Sequence, residues 1–211
     1  MNIVTYGIIS FLLIGISLFL LNYRRDSQWR KNNHDTFSFI LSLISTFIGL
    51  FIALSVNTYL DDINQKNNLI KLLNTSNLAI ENCQMKTKGM YLNTTNSGVN
   101  LTETLIKTPV ELPKLYPQLE NNNLVNNYFS ANAFQAYIVC IDNMETFVKN
   151  LNNENQTNNV TKLEVLNRYL KYLEFAKSIN KLEIERLDEK ITEKQETESL
   201  KGIVDQFTTS K

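Results

Sequence analysis

Two apolar runs open the chain, and the rest alternates apolar and polar positions at helical spacing. Residues 3–21, IVTYGIISFLLIGISLFLL, and 37–60, FSFILSLISTFIGLFIALSVNTYL, contain no charged side chain. Apolar runs of about 18 residues or more are long enough to cross a bilayer as helices. At about 1.5 Å rise per residue the first covers roughly 28 Å. It lacks a basic leader and a small-residue cleavage site before Arg24, so it reads as a retained span rather than a signal peptide. Tyr23 and Trp29 flank it as interfacial aromatics do. The polar connection over 22–36 implies an antiparallel hairpin.

No proline interrupts the second run, and Ile63, Leu69, Ile70, Leu72, Leu73, Leu78 and Ile80 continue an amphipathic helix beyond it. The pattern predicts one rod leaving the membrane, stopped near Met90 by Gly89, with a loop over 91–98. Pro109, Pro113 and Pro117 break the next stretch into a short turn and an extended segment. A short helix is expected within 118–128. Ser130 is a good N-cap for a helix carrying Phe134, Tyr137, Ile138, Ile141, Met144, Val148 and Leu151. Residues 152–159, NNENQTNN, form a loop. The spacing of Thr161 and Glu164 suggests a capping box, and one helix is expected from there to about Phe207.

That last helix carries two apolar stripes. One is Leu163, Leu166, Leu170, Leu173 and Ala176; the other is Val165, Arg168, Tyr172, Phe175, Ile179, Leu182 and Arg186. A helix with two apolar faces is covered on both sides. The first stripe suits the domain's own core. Val165, Tyr172, Phe175, Ile179 and Leu182 are expected to meet a second copy. The charge-dense stretch 186–199 reads as a solvated helix held by i,i+4 pairs. The predicted fold is therefore all-α: a transmembrane hairpin over residues 1–60 (3–21 and 37–60) continuing into a soluble helical bundle over 61–211.

Within the second span, Ser38, Ser42, Ser45, Gly49 and Ala53 recur at steps of three and four. Small faces let membrane helices approach closely. This one fits packing against the first span, which has Gly7 and Gly15, or against other hairpins. Asp61 and Asp62 mark the edge of the lipid.

Composition adds limits. The 211 residues have a formal net charge of zero, so the chain lacks the basic excess of a duplex DNA- or RNA-coating protein. Scarce Gly and Pro favour helices over a turn-rich β-barrel. In residues 1–60, Arg24, Arg25, Arg30 and Lys31 outnumber Asp26 and Asp35. The positive-inside rule then puts the inter-span loop in the cytoplasm and the domain outside. Proteins with two spans commonly keep both ends in the cytoplasm, and we place the domain there, in a bacterial inner membrane, against the loop charges. Cys83 and Cys140 sit in apolar patterns and read as small buried thiols.

Catalytic signatures are absent from the sequence. There is no Gly-rich phosphate loop, and two distant cysteines with the single His34 make no zinc set. A Ser-His-Asp triad would need His34, at the membrane surface. No cofactor, metal or enzymatic activity is expected. For an anionic ligand the candidates are Arg168 and Lys171 on the last helix, and Lys86 and Lys88 on the rod.

The layout of IVTYGIISFLLIGISLFLL, a short basic loop, IGLFIALSVNTYLDD and a helical domain resembles two-span bacterial membrane effectors of anti-phage systems, of the retron type or responsive to cyclic oligoadenylate in type III CRISPR systems. The resemblance lies in architecture and transfers no functional residue. It implies an oligomer, taken as a tetramer, whose soluble domain senses a cytosolic signal such as a cyclic oligonucleotide and perturbs the bilayer. The alternative expectation is a membrane-anchored, non-enzymatic partner-binding or sensor protein.

Overall fold

The computed structural model describes residues 3–23, 34–153, 155 and 158–209. These residues are helical or irregular, with no strand among them. The order is α1 (Ile3–Tyr23), α2 (His34–Ser97), α3 (Leu101–Lys107), a 3-10 turn (Pro117–Leu119), α4 (Asn123–Tyr128), α5 (Ala131–Leu151), α6 (Asn159–Leu187) and α7 (Glu193–Thr209). The all-α expectation holds. The chain divides into two units, Met1–Gln65 and Lys66–Lys211, close to the boundary expected at Leu60.

The first unit contains α1 and the beginning of α2. α2 starts at His34, and its first part is long and apolar enough, by length and composition, to cross a membrane and is not buried by the rest of the chain. Phe11, Phe39 and Leu50 are 78%, 67% and 52% exposed, large apolar side chains left uncovered on both helices. Three hydroxyls of α2 are satisfied locally. Thr46, Ser55 and Thr58 donate to the carbonyls of Ser42, Phe51 and Leu54 at 2.8–2.9 Å, as lipid would require. Most of the expected turn, with Arg24, Arg25, Trp29, Arg30 and Lys31, lies outside the described residues, so the hairpin stays an expectation.

Within this unit the small residues are not the covered face, so of their two expected partners the first span is not the one they meet. The more covered face of α2 is Phe37, Leu41, Ile44, Ile48, Phe51 and Ser55, whereas Ser38, Ser42, Ser45, Gly49 and Ala53 are exposed. A Cβ added at Gly7, Gly15 or Gly49 would meet nothing within 4 Å. The large apolar side chains on the covered face make more dispersion contacts than the small ones would. The small stripe lies about 120° around the helix.

In the second unit, α2 is a wall of the bundle core. Leu69, Leu73 and Ile80 are fully buried, and Ser76 and Thr87 lie on the same face. Asn180 of α6 donates from Nδ2 to Asn77 Oδ1 at 2.9 Å and Ser76 Oγ at 3.4 Å, and Lys177 pairs with Glu81. Replacing Leu73 by Ala should cost about 2–5 kcal/mol, the range for truncating a buried leucine, read by urea denaturation of the full chain in micelles.

The helix also runs past Gly89 to Ser97, so the stop expected near Met90 and the loop over 91–98 are corrected. Met90 and Tyr91 pack on the core, and the Thr94 and Thr95 hydroxyls bond back to their carbonyls at 3.0 Å. Gly98, at φ +61°, ends it instead, a left-handed position suited to glycine.

Three buried tyrosines pin the proline segment to the bundle. Tyr137 donates to the Tyr116 carbonyl, and Tyr169 donates to the Glu111 carbonyl at 2.7 Å. Tyr116 and Tyr137 meet edge to face at 4.7 Å. Ser130 caps α5 as expected, accepting from the Ala133 N–H at 3.1 Å. Asn158, not Thr161, caps α6, accepting from the N–H groups of Val160 and Thr161. Both cysteines are free thiols, Cys140 buried and Cys83 half-buried; burial pushes Cys140 up to about 12 and raises Cys83.

Candidate functional site

The expected final helix is two helices. α6 stops at Leu187, Glu189 adopts φ +58°, and α7 starts at Glu193. A reciprocal capping box starts α7: the Thr192 N–H donates to Gln195 Oε1 at 2.9 Å, and the Gln195 N–H donates to Thr192 Oγ1 at 3.3 Å. The chain then folds back, so α7 packs on α5 and α6. Phe175 and Ile179 are buried within this unit and Val165, Tyr172 and Leu182 are partly buried against its core. The second stripe of α6 is thus covered by its own chain, which corrects its assignment to a second copy. The physical premise was sound, since both stripes are covered; the cover is intramolecular.

At the elbow lies a buried charge cluster. Glu183 and Glu196 are both 0% exposed, and the Arg186 side chain is 21% exposed. Arg186 donates from Nε and Nη2 to Glu183 Oε2 at 2.9 and 2.7 Å, and from Nη2 to the Tyr128 carbonyl. Glu183 Oε1 accepts the Ser130 backbone N–H at 2.7 Å. Glu183 is therefore well satisfied at the start of α5. Glu196 is not: Arg186 Nε is 3.5 Å from its Oε2, and neither carboxylate oxygen makes a hydrogen bond of good geometry. Burial, with the Glu183 charge added, raises Glu196 to about 7, against the opposing pull of Ser130 and Arg186. The reading of 186–199 as wholly solvated charge is corrected at these positions. Two buried carboxylates share one guanidinium, and the second carboxylate is the costly one.

Next to the cluster, a groove of about 310 Å³ opens between α5, α6 and α7. Ala136, Val139, Tyr172, Phe175, Leu200 and Val204 give it an apolar lining, with Lys201 and Asp205 on the α7 side. Asn132 Nδ2 donates to Thr197 Oγ1 at 3.0 Å across it. This is the form of a small-molecule site: an apolar body with a few polar groups. A second cleft of about 400 Å³ lies between α2 and the segment after α3, where Cys83, Lys86, Thr87 and Met90 face Lys107, Pro109, Val110 and Glu111.

Of the four cations expected to bind an anion, the structure brings only Lys86 to one of these cavities, and its companion there is Lys107 rather than Lys88. Arg168 is exposed and Lys171 half-buried on α6, and Lys88 is exposed on α2. No group of three or more His, Cys, Asp or Glu among the described residues is arranged to hold a metal ion. In the sequence Glu183 and Glu196 carry no local mark that separates them from surface glutamates on α6 and α7. Only the Thr192-to-Gln195 spacing signalled that the chain turns there. Compared with protein-family models, curated proteins and solved structures, the chain matches none.

Proposed function

We propose that this protein is a non-enzymatic membrane effector: a bacterial inner-membrane oligomer whose cytoplasmic helical bundle senses a signal and whose apolar helices then perturb the bilayer. The observation carrying this reading is α2. It is one helix of 64 residues, uncovered and apolar at its start and the core wall of a bundle further on. A signal acts by binding two arrangements of the protein with different affinity. Anti-phage defence is the setting proposed, on the resemblance of layout.

A pair of helices cannot enclose a pore, so several copies must associate. The open stripe of Ser38, Ser42, Ser45, Gly49 and Ala53 is the face proposed for that contact, because close approach of small side chains is a main source of helix association in lipid. For an anionic signal, such as a cyclic oligonucleotide, the proposed entry is the Lys86–Lys107 cleft. The test is expression in a bacterial host with and without phage challenge, with membrane potential followed by a voltage-sensitive dye. Depolarisation that accompanies growth arrest is expected; arrest with the potential intact would refute the reading. Sidedness is checked with a membrane-impermeant thiol reagent on Lys211→Cys after both native cysteines are replaced. Labelling only in lysed cells is expected.

The groove between α5, α6 and α7 favours a second reading, an anchored binding or sensor module. Exchanging both apolar helices for an unrelated pair separates the two. An anchored module keeps its activity after the exchange, and an effector loses it.

A further inference from the structure

We propose that Glu196 makes α7 a proton-controlled cover over the apolar face shared by α5 and α6: α7 is held more tightly while Glu196 is neutral and opens more often when Glu196 is ionised. All the residues involved lie within Lys66–Lys211, so the proposal does not rest on the membrane reading.

Three observations carry it. Glu196 is fully buried on α7 and neither of its oxygens makes a hydrogen bond of good geometry among the described residues, so in the ionised form the Ser130 hydroxyl and the shared Arg186 offset only part of the loss of water. The charged groups facing it, Glu183 and Arg186, both come from α6. Arg186 is already bound twice by Glu183 and once by the Tyr128 carbonyl, so it is shared away from Glu196. From α5 comes the Ser130 hydroxyl. The α5 side chains further along the groove, Asn132, Gln135, Ala136 and Val139, carry no charge. Secondly, α7 is joined to α6 by a short elbow rather than a continuous helix, so it can move while α6 keeps its place. Thirdly, α7 covers a face worth covering. Tyr172 and Phe175 of α6 line the same groove as Leu200 and Val204 of α7, so displacement of α7 would open that apolar surface further.

The sign follows from linkage. The docked state raises Glu196 from an ordinary carboxylate to about 7, so docking takes up a proton. The stabilisation is complete at acid pH, below the free carboxylate's range, and is lost as pH rises through about 7. With those limits the docking equilibrium falls about tenfold from pH 6 to pH 8. An exposed carboxylate would show no such change.

Hydrogen–deuterium exchange on the full chain in detergent micelles reads this directly. Rates are corrected for the intrinsic pH dependence of exchange, and α7 amides are compared with those of α5. Wild-type α7 is expected to lose about tenfold protection relative to α5 between pH 6 and pH 8. Glu196→Gln, neutral at both pH values, should keep α7 equally protected at both. Glu198→Gln, which removes an exposed carboxylate from the same helix, should behave like wild type. A wild-type α7 whose protection relative to α5 is unchanged between the two pH values overturns the proposal, even if Glu196→Gln does not fold. So does a folded Glu196→Gln variant that retains the wild-type pH dependence.

Discussion

Replacing Arg186 by Met is expected to destabilise the Lys66–Lys211 unit by about 3–5 kcal/mol at pH 8, the cost of leaving buried carboxylates without their cation. Methionine keeps much of the side-chain volume, so the loss reports charge rather than a cavity. Glu183 would retain the Ser130 N–H, but its two guanidinium bonds would vanish, and the Tyr128 carbonyl would lose its Arg186 donor. Glu196 would lose the only cation within ion-pair distance among the described residues. At pH 5 the loss should be smaller, because Glu196, already raised to about 7, is neutral there and one of the two stranded charges is gone. Urea denaturation of the full chain in micelles, followed by far-UV circular dichroism at both pH values, measures the pair of losses. Adding Glu183→Gln and Glu196→Gln to Arg186→Met should recover most of the stability at pH 8. Equal losses at pH 5 and pH 8 would show that Arg186 acts through Glu183, the Tyr128 carbonyl and packing, and not through Glu196.

This cluster also shows where sequence reading stops. Local rules worked for Ser130, whose cap is set by the two or three residues that follow, and for the charge-free run through 37–60. They worked for the stripes of α6, where spacing alone showed that two faces need cover. They failed at Gly89, because a glycine costs only about 1 kcal/mol inside a helix and the packing of Met90 and Tyr91 outweighs it. At the end of α6 the dense charges promised a solvated helix, yet the Thr192-to-Gln195 capping box was present and marks a helix start. What covers the second stripe, and which glutamates are buried with Arg186, depend on how α7 folds back. That is a contact between distant positions, and no spacing along the chain encodes it. The small stripe of α2 shows a further limit: its periodicity was real, but spacing did not say which of its two expected partners it meets, and within this chain the larger residues of the neighbouring face took the covered position.

If the membrane effect depends on α2 as a helix, disturbing its phase should abolish the effect without unfolding either unit. Asn64→Pro places a proline inside the helix, removing one backbone hydrogen bond and clashing with the carbonyl four residues back, a cost of about 3 kcal/mol or a kink. Growth arrest should disappear while membrane insertion and the circular dichroism of the soluble unit persist. Asn64→Ala, a good helix former, should retain arrest. Insertions after Gln65 sharpen the test. Two added alanines turn all that follows by about 200°, while seven return it to within about 20° of its original phase. The two-residue insertion should silence the protein and the seven-residue insertion should restore much of its effect. A tether that merely holds the bundle near the bilayer would tolerate both. Retained depolarisation in Asn64→Pro and in the two-residue insertion would therefore reduce α2 to an anchor and leave the groove between α5, α6 and α7 as the place where function resides.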